Sequence, residues 1–195
     1  MPRDTGVHLQ IFRFTAVDTP PAVLDSIRFF TSFEENGGRL SQLSLDVPAE
    51  VGPRIAIERI PDAAIWSLTV NGVPRQVRTG ADGNWIIALD PGGTSKVELA
   101  YLTRADALTL QGRIEARMPG VGLPAKRVSV GIGLPERLEL LSIEGPVTPA
   151  SHPPSGPPEA FDGTPYYFSR SYYEGKGLDV LAYYKEPAAN DLTTP

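Results

Sequence analysis

The chain has 195 residues, 41% of them hydrophobic and 21% charged, which are the proportions of an ordinary globular protein. A formal net charge of −5, with fourteen arginines among eighteen basic residues but no basic run, argues against a surface for nucleic-acid phosphates. No cysteine is present, which excludes disulfides, thiolate nucleophiles and cysteine metal ligands, and no stretch reaches the roughly 18 apolar residues of a membrane-spanning helix.

A chain of this length can bury about two-thirds of its unfolded surface as one domain. The expected division is a single domain over 1–184 with a flexible tail over 185–195. Met1 to Gly6 lack the basic and apolar regions of a signal peptide, so localisation is open between the cytoplasm and an excised domain of an exported protein.

In chain order, Val7 to Phe14 alternates as a first strand. Ser26 to Phe33 makes a second, and Glu35-Asn36-Gly37-Gly38 turns into Leu40 to Val47, completing a hairpin. Pro53 to Ile60 is another strand. Residues 65 to 102 then alternate in period two, broken by Asn71-Gly72, Asp82-Gly83-Asn84 and Pro91-Gly92-Gly93, the pattern of a strand-turn-strand meander. This alternation predicts that Trp66, Leu68, Val70, Ile87, Leu89, Val97, Leu99 and Tyr101 face a common core. Leu108 to Met118, Arg127 to Leu134 and Leu138 to Ile143 extend the series. No window carries an apolar stripe at helical spacing with caps. The expectation is an all-β, antiparallel sandwich of about a dozen strands, immunoglobulin-like or jelly-roll-like.

Residues 146–165 contain seven prolines, which cannot donate ladder hydrogen bonds, so the segment reads as an extended linker rather than a helix or central strand. A PxxP-type ligand through Pro154 and Pro157 is the lesser alternative. Beyond it lie Tyr166 to Tyr173 and Leu178 to Tyr184, which read as a hairpin through Glu174-Gly175-Lys176-Gly177. Six of the seven tyrosines fall here. Of each adjacent pair one ring should face outward, and Tyr167, Tyr173 and Tyr183, with Arg170, are the expected partner-binding residues. Tyrosine and arginine suit such a surface by joining broad contact area to hydrogen bonding; simple packing of the hairpin is the competing explanation.

Catalytic chemistry finds little support. The two histidines, His8 and His152, form no metal-ligand pair and no triad with a nucleophile elbow. The Gly120-Val121-Gly122 and Gly131-Ile132-Gly133 patterns lack the third glycine of a phosphate cradle. Glu34 and Asp82 are nominal acids for a glycan-active enzyme, but Asp82-Gly83-Asn84 reads first as turn chemistry. No metal or cofactor is assigned.

The order Trp66-x-Leu68-x-Val70-Asn71-Gly72, Trp85-x-Ile87-x-Leu89, Val97-x-Leu99-x-Tyr101, Pro124-x-x-Arg127-Val128, Gly131 to Pro135 and Tyr167-Phe168-Ser169-Arg170 resembles a β-sandwich region of large bacterial envelope-anchored proteins. The resemblance spans roughly residues 27–184 and implies an extracytoplasmic accessory domain, with no catalytic residue to carry over. The sequence thus points to a non-catalytic interaction or assembly domain. Its partner is another protein or a glycan, with no nucleic acid and no direct membrane insertion. A carbohydrate-binding module using the C-terminal tyrosines is the alternative.

Overall fold

The computed structural model describes residues 22–150 and 161–187. The expected strand over Val7–Phe14, both histidines, Pro154 and Pro157, and most of the tail lie outside these residues. Among the described residues fourteen strands run in chain order. They are β1 (Leu24–Phe33), β2 (Gly38–Val47), β3 (Arg54–Ile57), β4 (Ala64–Val70), β5 (Val73–Pro74), β6 (Arg78–Thr79) and β7 (Trp85–Ala88). The series continues with β8 (Ser95–Arg104), β9 (Gln111–Met118), β10 (Ala125–Leu134), β11 (Glu139–Glu144), β12 (Thr148–Pro149), β13 (Thr164–Tyr173) and β14 (Leu178–Lys185). A 3-10 turn at Ala49–Val51 is the one helical piece among the described residues.

The all-β sandwich is as the alternation implied. An eight-stranded sheet in the order β12-β13-β10-β1-β2-β8-β4-β5 forms one layer, and two three-stranded sheets, β11-β14-β9 and β3-β7-β6, supply the other. Inward residues of all three join one apolar cluster, among them Ile27, Leu45, Val97 and Ile132 from the large sheet and Ile57, Ile87, Met118 and Ala182 from the small ones. Trp85 meets Tyr101 across the layers with ring centroids 5.6 Å apart. The Tyr101 hydroxyl donates to the Arg117 carbonyl at 3.3 Å.

Pairing departs from simple neighbour-to-neighbour order. β1 and β10 run parallel, Ile27 opposite Val128, within an otherwise antiparallel sheet. The meander of residues 65–102 is divided between layers. Asn71-Gly72 closes the β4–β5 hairpin with φ of 53° and 76°, the pair of positive angles that a two-residue type I′ turn needs. β7, however, pairs with β3 and β6 rather than β8. The expected C-terminal hairpin also does not form: β13 pairs with β10 and β12, and β14 with β9 and β11. The turn through Glu174 to Gly177 therefore carries the chain from one layer to the other.

The described residues of the proline-rich segment include short stretches of strand. Thr148 and Pro149 pair with Ser169 and Phe168, and Thr164 and Pro165 open β13. Proline is tolerated at both places because one is an edge strand and the other a strand start, where a missing N–H costs little.

One core assignment and one surface assignment are corrected by local backbone geometry. Trp66 is 69% exposed, because the β4–β8 register shifts between Ile65 and Ser67 and leaves it unpaired in a bulge. Tyr173, expected outside, is only 2% exposed, and Tyr172 stands out instead at 66%. Tyr172 has φ of 56°, which interrupts the regular in-out alternation. The irregularity is shared by neighbouring strands, since Leu24 and Ile27 on β1, and Ala125 and Val128 on β10, are all buried although each pair is three residues apart.

Candidate binding cleft

The outer face of the large sheet carries a cleft of 300 Å³. Alternation builds it. With Phe29, Leu43, Leu99 and Val130 turned to the core, their neighbours must point outward. Register aligns those neighbours into two rows across six strands. One runs Tyr167, Gly131, Phe30, Gln42, Ala100, Ser67; the next runs Ser169, Ser129, Arg28, Ser44, Glu98, Thr69. Small residues at Gly131, Ala100, Ser129 and Ser67 leave the floor low between larger side chains.

The aromatic end is held in place. A Cβ on Gly131 would come within 2.3 Å of the Phe30 ring, so glycine there lets the ring lie down over β10. Phe161 meets that ring edge-on at 5.5 Å between centroids. Tyr167 lines the cleft beside it. Its hydroxyl is shut from solvent with no hydrogen-bond partner among the described residues, and desolvation pushes its pKa up. A buried donor left unpaired costs about 1–3 kcal/mol.

The other end is charged but nearly balanced. Arg28 donates to the Ser44 hydroxyl at 2.9 Å and lies 3.5 Å from Asp46. Glu98 pairs with Lys96 at 2.6 Å and accepts from the Thr69 hydroxyl at 3.3 Å. The Lys96 ammonium that donates to it holds Glu98 below the usual carboxylate range, with Thr69 and Arg28 adding to the effect against partial burial. Glu98 is therefore an ionised acceptor rather than a proton donor, and among the described residues no second carboxylate lines the cleft.

Of the partner-binding residues expected from sequence, only Tyr167 is here. Arg170 is half-buried, its Nε donating to the Tyr172 carbonyl at 3.1 Å. Tyr173 is enclosed, and its burial raises the hydroxyl pKa. Tyr183 is half-buried on β14, turned away from the inward Ala182 and Tyr184. Tyr167 and Tyr183 thus belong to the outer faces of opposite layers, and the four residues make no common surface. Glu34 and Asp82 do not meet either. Asp82 accepts from Asn84 N at 3.1 Å and Nδ2 at 2.8 Å, the turn chemistry its sequence suggested. Among the described residues no three His, Asp or Glu side chains are grouped for a metal ion.

The cleft was not singled out from sequence. Its polar residues are scattered over strands from Arg28 to Tyr167, and only the registers bring them together. The faint signal was a set of outward positions that are uncommonly small or uncharged, namely Ser44, Ser67, Ala100, Ser129 and Gly131.

No protein-family model matches the chain, and no curated protein matches it in sequence. Solved structures that resemble it include M1 zinc metallopeptidase of Deinococcus radiodurans. A mutant of that enzyme bound to a Tyr-Ser-Ala substrate aligns with a TM-score of 0.45 and 12% identity, covering 83% of this chain and 42% of that one. A second structure of the mutant gives 0.44 at 12% identity, covering 83% and 42%, and a third structure of the enzyme gives 0.44 at 14% identity, covering 81% and 41%. This chain spans less than half the length of those proteins.

Proposed function

We propose that the chain is a non-catalytic interaction domain that holds a saccharide in the cleft across its large sheet. The observation that carries this reading is the pair of aligned rows, which set hydroxyl, carboxamide and guanidinium groups beside the rings of Phe30 and Tyr167. A sheet face has its backbone N–H and C=O groups tied up in the ladder, so a peptide lying there finds no main-chain partners. Those are offered at strand edges. A saccharide needs only side-chain hydrogen bonds and a flat apolar face, and the cleft provides both. Among the described residues the cleft offers one ionised carboxylate, short of the two-acid arrangement of glycoside hydrolysis, which favours binding over turnover. The envelope setting implied by the sequence resemblance is compatible with this role.

Titration with neutral oligosaccharides chosen from a glycan array tests the proposal. Binding should be lost in Tyr167→Ala and weakened at least tenfold in Gln42→Ala, with the fold unchanged by circular dichroism. An array without hits, or hits indifferent to both substitutions, would reject the saccharide.

A protein partner is the second reading, favoured by the exposed Ile65, Trp66 and Val73 grouped on the outermost strands β4 and β5. Exposed aromatic residues of this kind are frequent anchors. Association that depends on Trp66 and ignores Tyr167 would select it.

A further inference from the structure

The outer face of the small β3-β7-β6 sheet carries a groove of 770 Å³, in the layer opposite the cleft. Register sets its walls. Ile55, Ile57, Trp85 and Ile87 turn to the core, so Arg54, Ile86 and Ala88 point outward. Arg54 stands across from Ala88 on one side of β7, and Arg78 across from Ile86 on the other, which puts both arginines on the groove's face. Ile86, Ala88 and Pro53 supply an apolar floor between them. Two strand spacings and a two-residue offset separate the two arginines by about 12 Å at Cα.

Charge decides what this groove can hold. Arg75 also lines it, and among the described residues no Asp or Glu does. The carboxylates on the surrounding segments are engaged. Asp90 accepts from Arg75 at 2.6 Å and from Asn71 at 2.8 Å, Asp82 accepts twice from Asn84, and Glu58 accepts from Arg117 at 2.7 Å. Glu50, exposed on the 3-10 turn before β3, lies outside the lining. Arg54 and Arg78 are exposed and form no ion pair or side-chain hydrogen bond among the described residues. The groove therefore keeps two free guanidinium groups, which can only donate.

We propose that this groove holds a strand of acidic glycan, with one carboxylate- or sulfate-bearing sugar on Arg54 and another on Arg78. Each guanidinium is a planar fork that matches two oxygens of such a group. Their separation suits two acidic groups along one extended ligand better than a single small anion. The main chain of β7 is committed on both sides, to β3 and to β6, so the floor offers a peptide no backbone partners. A glycan binds through side chains alone, and the C–H faces of its rings can lie on Ile86 and Ala88. The site is separate from the cleft on the large sheet and does not depend on what binds there.

Calorimetric titration of the full chain with polygalacturonate and dextran sulfate, against neutral dextran and polyglutamate at matched ionic strength, provides the test. Saturable binding to at least one acidic glycan is expected, and which one binds tells carboxylate from sulfate. Dextran should not bind, and polyglutamate should bind at least tenfold more weakly. Arg54→Gln and Arg78→Gln should each weaken binding at least fivefold. Arg127→Gln, which removes the same charge from an exposed position on β10, should change it less than twofold, and Tyr167→Ala in the cleft should leave it unchanged. No saturable binding to either acidic glycan, an equal loss in Arg127→Gln, a loss in Tyr167→Ala, or polyglutamate binding as tight as the glycan would overturn the proposal. Circular dichroism checks the fold of each variant. Should Arg78→Gln not fold, Arg78→Lys, which keeps the charge but loses the fork, takes its place, and unchanged affinity there would reject the site.

Discussion

Single residues separate the surfaces from the core more sharply than residue type does. Trp66 and Tyr173 are both large aromatics in strands, yet one stands in solvent and the other is enclosed. Trp66→Ser should change unfolding free energy by no more than about 0.5 kcal/mol, whereas Tyr173→Ala should cost about 3–5 kcal/mol through the cavity left behind. Urea denaturation of the two variants checks this, and equal losses would contradict the bulge. Glu98 makes a pH-dependent contribution. Its folded pKa is depressed chiefly by Lys96, so the stability it confers is present above its unfolded pKa of about 4.3 and lost as pH falls through the lower folded value. Glu98→Gln should therefore narrow the stability difference from the parent as pH drops from neutrality toward acid, as read from denaturant midpoints across that range.

At the scale of the element, alternation named most strands correctly, and errors arose where one residue broke the period. The bulge at Trp66 shifts the count by one, so reading inward from Leu68 and Val70 toward the start of β4 gives the wrong face. No local sequence feature announces this, because the shift is set by pairing with β8. Tyr172 acts through its backbone. A left-handed φ costs an L-residue about 1–2 kcal/mol, and glycine avoids that cost while losing some chain entropy. Tyr172→Gly, at an exposed side chain, should consequently stabilise the protein by up to about 1 kcal/mol. A lower melting temperature would mean that the Tyr172 ring contributes more than its exposure suggests. The tyrosine concentration itself proved to be two strands in two layers, because adjacency in sequence does not oblige strands to pair when a turn crosses between sheets.

For the whole molecule, one apolar cluster shared by three sheets implies cooperative unfolding. Fluorescence of Trp85, buried between the layers, and far-ultraviolet circular dichroism should give coincident denaturation midpoints, whereas separated midpoints would show that the layers melt independently. The β1–β10 pair joins Ile27 to Val128, and such distant contacts delay folding because loop closure precedes any gain from pairing. Folding on a millisecond-to-second scale follows.

By itself the sequence determined that the chain is all-β, where most strands lie, and that Leu68, Val70, Ile87, Leu89, Val97, Leu99 and Tyr101 are buried. These are consequences of a two-residue period and of turn residues such as Asn71-Gly72, which act over a few positions. The tertiary structure alone decided strand partners, the parallel β1–β10 contact, the place of Trp66 and Tyr173, and the meeting of Arg28, Gln42, Glu98 and Tyr167 in one cleft. Those outcomes depend on register between strands up to about a hundred residues apart, and register is chosen by the packing of whole faces, which no local run of residues encodes.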